Sequence, residues 1–224
     1  MFYDYDFVAA EREFERAIGL NPRYATAHQR FGFFLGLMGR YEEGYTEDKR
    51  AIRLDPHSSI IHTTLGFVYY FAHRFDQLIE HVQRTLELDP NFALAHCLLG
   101  SGYLQKSMHE PAIAALRKGV ELSQDAPLFL ALLGAACARA GYRDDTQKIL
   151  ERLNELSKQR YVTPYFVGGI YAALGQRDEA FRCLETAYAE RAPWMAWLKT
   201  DPGLNALRSD PRFQDLLRRM NFPP

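Results

Sequence analysis

Apolar residues recur along most of the chain at i, i+3, i+4 and i+7, the period of an α-helix that buries one face. The pattern is itself periodic. Gly32, Gly66, Gly100, Gly134 and Gly168 stand 34 residues apart, with no insertion or deletion between them. Pro22, Pro56 and Pro90 keep that interval inside LNPRYA, LDPHSS and LDPNFA, and His28, His62 and His96 keep it too. The residue before a proline avoids the α region, so each Asn-Pro or Asp-Pro step ends a helix. Tandem helical hairpins are therefore expected, each with a first helix A and a second helix B. A mid-helix glycine costs about 1 kcal/mol against alanine, so a recurring one needs a packing reason. The simplest is close approach of helix A to its own helix B.

The residues around the ladder keep register. Phe31, Leu65, Leu99, Leu133 or Val167 precedes each glycine, and Leu35, Tyr69, Tyr103, Cys137 or Tyr171 follows three residues later. Helix B opens on a small residue at Ala10, Gly44, Ala112 and Ala180, with Leu78 and Thr146 as departures. Four residues on come Phe14, Val82, Leu116, Leu150 and Leu184, with Asp48 as the exception. Over roughly residues 1–192 this pattern resembles the tetratricopeptide repeat, although histidine, Leu130 and Pro164 replace the tryptophan usual early in helix A. The resemblance implies an all-α, right-handed superhelical solenoid. Residues 1–24 would be the second half of a unit, followed by full units over 25–58, 59–92, 93–126, 127–160 and 161–192, and a helical cap over 193–224. Asp125 and Pro127 read as an N-cap and an early helical proline, and Thr163-Pro164 gives the fifth unit a late start.

The two ends differ. A half-unit cannot bury its own apolar face, so Phe2, Tyr3, Tyr5 and Phe7 read as an exposed edge that meets an upstream helix or another copy of the chain. The chain is thus expected to be part of a longer protein or a homo-oligomer. After Ala192 the 34-residue register breaks, and Asp201-Pro202 and Asp210-Pro211 each look like a helix start. Leu204, Leu207, Phe213, Leu216, Leu217 and Met220 are placed inwards, with Arg208, Arg212, Gln214, Arg218 and Arg219 in water. This stretch, with YVTPYFVGGIYAALG before it, resembles the ends of arrays in multidomain bacterial signalling proteins, where an effector domain lies upstream.

In that family the A helices form the inner wall. The resemblance places Gln29, Phe33 and Leu37, then Thr63, Phe67, Tyr70 and Phe71, then Cys97, Ser101 and Gln105, then Arg139 and Tyr165 in a partner-binding groove. The Lys/Asn/Arg clamp that grips acidic chaperone tails is absent, since Gln29, Phe33, Thr63 and Phe67 hold its positions. An apolar peptide or domain is the expected partner.

Composition narrows the function further. With 27 basic and 28 acidic residues the net charge is -1, which gives no field for nucleic acid or anionic membrane. Three cysteines in no paired spacing argue against structural disulfides, and MFYDYDFVAAEREF lacks the pattern of a secretory leader. A cytoplasmic place is expected, or an extracytoplasmic one if a membrane span lies upstream in a longer parent. No metal, cofactor or catalytic role is expected. His28, His62 and His96 sit on successive units about 10 Å apart and cannot converge on one ion. His109-Glu110 lacks the second histidine of a zinc protease motif, and no phosphate-binding glycine loop appears.

Overall fold

A computed structural model describes residues 5–222, which fold into α-helices and two short 3-10 helices with no strand. The half-unit is α1 (Phe7–Leu20). Five hairpins follow: α2 (Ala25–Leu37) with α3 (Tyr41–Leu54), α4 (Ser59–Phe71) with α5 (Phe75–Leu88), α6 (Ala93–Gln105) with α7 (His109–Leu122), α8 (Pro127–Arg139) with α9 (Arg143–Ser157), and α10 (Pro164–Ala173) with α11 (Arg177–Ala189). The A helices α2, α4, α6, α8 and α10 also pack on one another in sequence and so line one wall. After them come 3-10 helices over Pro193–Trp197 and Pro202–Leu207, then α12 (Pro211–Arg219).

The ladders have physical explanations. A β-carbon on Gly100 would lie 2.9 Å from the Ala112 carbonyl oxygen, so α6 touches its own helix B there, as expected. One on Gly134 would lie 2.8 Å from a methyl group of Ile170, so that glycine also admits the next A helix. In the first three units the histidine Nε2–H donates to the proline carbonyl six residues back: His28 to Pro22 at 2.9 Å, His62 to Pro56 at 2.9 Å and His96 to Pro90 at 2.8 Å. The two ladders are thus one device that ties helix A to the turn before it. Each hairpin turn also needs one residue with left-handed backbone, and these too are 34 apart: Gly39, His73, Ser107, Gly141 and Gly175. Glycine adopts that conformation freely, whereas His73 and Ser107 hold it under strain.

One helix start differs from expectation, and the late start of α10 at Pro164 agrees with it. Asp125 is not an N-cap: its backbone is left-handed at φ 58°, Ala126 takes the cap position, and its carboxylate pairs with Arg152 at 3.0 Å. Thr163 does stand at the N-cap of α10, but its hydroxyl makes no capping hydrogen bond. Asp201 and Asp210 cap as read, accepting from the backbone N–H of Gly203 and Arg212.

Candidate functional site

The chain after α11 is more than a terminal cap, because it turns back into the groove that the A helices enclose. Trp197 is the centre of the contact. Its ring meets Phe71 at 5.3 Å, Phe67 at 5.4 Å and Phe33 at 6.1 Å between centroids, all near edge-on. On its other side it meets Trp194 at 5.2 Å and Phe166 at 5.8 Å. Edge-to-face pairs in this range add about 0.5–1.5 kcal/mol each beyond the area they bury. Met195, Ala196, Leu198 and Leu207 are fully buried in the same cluster.

A polar lock lies beside Trp197. The Asp201 carboxylate is buried and accepts from the Tyr165 hydroxyl at 2.8 Å, the Tyr70 hydroxyl at 3.3 Å and the Gly203 amide at 2.7 Å. These donors come from the second unit, the fifth unit and the tail, so one acid joins elements far apart in sequence. Burial pushes the Asp201 carboxyl above its ordinary range, although its three donors pull it down. Burial, and next the Asp201 charge, push both phenols well above theirs. Thr200 reaches the first unit by donating to the Leu37 carbonyl at 3.5 Å.

The groove residues therefore divide. Phe33, Phe67 and Phe71 contact the tail through Trp197, Leu37 through Thr200, and Tyr70 and Tyr165 through Asp201. Gln29 and Thr63 lie elsewhere: Gln29 donates to Thr64 at 2.7 Å, and Thr63 is fully buried with its hydroxyl on the Ser59 carbonyl. Ser101, Gln105 and Arg139 line, with Cys97, a cleft between the tail and the later units.

The exposed edge expected at the N-terminus is corrected for the residues described. Phe7 is only 3% exposed and stacks on Phe222 at 4.8 Å, while Tyr5 stacks on Tyr188 at 5.9 Å. The chain's own C-terminal region covers Phe7 and partly covers Tyr5, so no second molecule is needed to bury the Phe7 ring. Phe2 and Tyr3 lie outside the described residues.

Among the described residues no cluster of three or more His, Cys, Asp or Glu could hold a metal ion, and no helix is long and apolar enough to cross a membrane. Cys97 and Cys137 are buried, and burial raises both thiols, as suits packing rather than nucleophilic attack.

A family model for the tetratricopeptide repeat matches residues 93–125, the α6–α7 hairpin. Among solved structures the chain is similar to TTC0263, a thermophilic TPR protein of Thermus thermophilus, with a TM-score of 0.62 and 20% identity over 88% of this chain and 96% of that one. It is also similar to MamA, with a TM-score of 0.54 and 22% identity over 69% of this chain and 90% of that one. MamA 41-end from Desulfovibrio magneticus RS-1 gives 0.52 and 20% identity over 69% and 87%. At these identities the likeness is one of fold. None of the curated proteins matches the sequence. The α6–α7 hairpin thus matches a tetratricopeptide repeat, and the array as a whole has the fold of tetratricopeptide-repeat solenoids, which supports a protein–protein interaction module.

Proposed function

We propose that the chain is a protein-interaction module that holds apolar, aromatic segments against its concave wall, as the sensory or scaffolding part of a bacterial signalling or regulatory protein in the cytoplasm. One observation carries the reading: the wall of the first two units already grips such a segment, the chain's own Trp194–Asp201 stretch. Phe33, Phe67 and Phe71 supply the surface, and Tyr70 and Tyr165 supply hydroxyls for an acid. A partner with an aromatic residue followed by an acid would use the same contacts. The alternative, self-association through the half-unit, loses its support because Phe222 and Tyr188 occupy Phe7 and Tyr5.

A labelled peptide of residues 193–210, added to the chain carrying Trp197→Ala and Asp201→Ala, tests the reading by fluorescence anisotropy. Saturable binding to this weakened-tail variant, and much weaker binding to the unaltered chain, is expected. A folded variant that does not bind the peptide would remove the wall as a segment receptor.

A further inference from the structure

Beside the tail, α6, α8 and α10 leave a cleft that contains a cavity of about 70 Å³. Its lining is segregated along the helix axes. Leu94, Leu128 and Phe166 stand at the N-terminal ends of the three helices, whereas Gln105 and Arg139 are the last residues of α6 and α8. Most polar groups of the lining are already engaged. Ser101 donates to the Cys97 carbonyl at 2.9 Å, Tyr70 and Tyr165 donate to Asp201, and Gln105 reaches the Tyr70 hydroxyl at 3.5 Å. Asp201, the acid of the lining, has its oxygens taken by those hydroxyls and by Gly203.

Arg139 differs. It is partly buried, burial lowers its pKa, and among the described residues nothing hydrogen-bonds or ion-pairs with its guanidinium. An arginine in a last helical turn complements the helix dipole, but it does so equally well from the solvent side without being desolvated. A cation turned onto an apolar wall is compensated by an anion.

Gly169 is the second observation. A β-carbon on its neighbour Gly168 would meet the Ala180 carbonyl at 3.2 Å, so that glycine is needed for packing. One on Gly169 would meet nothing within 4 Å, and Gly169 lines the cleft. Its missing side chain keeps the cleft open at a cost in helix stability.

We propose that this cleft binds a small amphipathic carboxylate, with its hydrocarbon body along Leu94, Leu98, Leu128 and Leu132 and its carboxylate on Arg139. A peptide strand suits the cleft less well. Each of its residues brings an N–H and a C=O that need partners, and the unengaged polar group lies at one end only.

Octanoate is the probe, octan-1-ol its neutral counterpart, and the fluorescence of the intact chain the readout, because Trp197 lines the cleft. Octanoate is expected to bind about ten- to a hundredfold more tightly than octanol, the worth of a charge-assisted hydrogen bond. Arg139→Gln should bring octanoate to the level of octanol and leave octanol unchanged. Gly169→Leu, which fills the cleft, should abolish both while keeping the helical circular dichroism. Equal affinity for acid and alcohol, no octanoate binding up to about 10 mM, or undiminished binding by either variant overturns the site. Tighter binding of an amidated apolar pentapeptide than of octanoate overturns it in favour of a peptide groove.

Discussion

The two halves of the concave wall differ in how they are finished. In the first two units the wall is aromatic, and the chain's own tail covers it, with Trp197 against Phe33, Phe67 and Phe71. In the third and fourth units it is aliphatic and small, and Leu94, Leu128 and Leu132 face a cleft that Gly169 of the fifth unit also lines. The internal packing differs in the same sense. Where Val82, Leu116 and Leu184 fill helix B of the second, third and fifth units, the first unit has Asp48, fully buried, with neither carboxylate oxygen hydrogen-bonded. Thr200 on Leu37, Trp197 on Phe33 and Phe222 on Phe7 brace this weaker end from outside. The tail thus serves as structure for the first two units and the fifth, and as one bank of a cleft for the third and fourth.

Trp197→Ala should give the largest effect. Truncating a buried Trp typically costs about 3–5 kcal/mol, and this one joins five other aromatic rings. Leu132→Ala, on the open half, should cost less than the about 2–5 kcal/mol of a core leucine because it leaves no closed cavity. Urea unfolding measures both, and amide exchange should rise in α2 and α4 before α6 and α8. If Trp197→Ala costs no more than Leu132→Ala, the tail is not a brace and the contrast between the halves fails.

Asp48→Val should stabilise the chain, by about 2 kcal/mol at neutral pH, since an unpaired buried polar group is replaced by the residue the second unit uses. Burial, and secondarily the charge of Glu47, push the Asp48 carboxyl well above its ordinary range. The folded chain therefore keeps a proton that the unfolded chain releases. Stability should be greatest below the ordinary carboxylate pKa and fall as pH rises through the folded value. Asp201, raised for the same first reason, contributes in the same direction. Asp48→Val should reduce that slope and leave the part due to Asp201. A destabilised variant with an unchanged pH profile would show that Asp48 has a partner in solution.

These contrasts bear on what a sequence can show. The hairpins, the glycine ladder and the caps at Asp201 and Asp210 were legible because they depend on residues within a few turns of one another. Asp48 stood out as a break in its ladder. The return of the tail into the groove was not legible, because it depends on the curvature accumulated over five units. The loss of register after Ala192, with Trp194 and Trp197 in it, marked the place without giving its direction. The left-handed turn ladder was present in Gly39, Gly141 and Gly175 but interrupted by His73 and Ser107, so composition alone hid it.

The smallest effects test the same division at single glycines. Gly169→Ala should stabilise by about 1 kcal/mol, because a methyl group gains helix propensity and meets open space. Gly100→Ala should destabilise, because its β-carbon would lie 2.9 Å from the Ala112 carbonyl, and backbone cannot move aside as a side chain does. In the turns, Ser107→Gly should gain roughly 1 kcal/mol by relieving a left-handed φ of 59°, less the added freedom of the unfolded chain. Thermal melts of the three variants give the signs directly. A loss at Gly169 would mean that something already fills the cleft in solution, and the open half of the wall would then resemble the covered one.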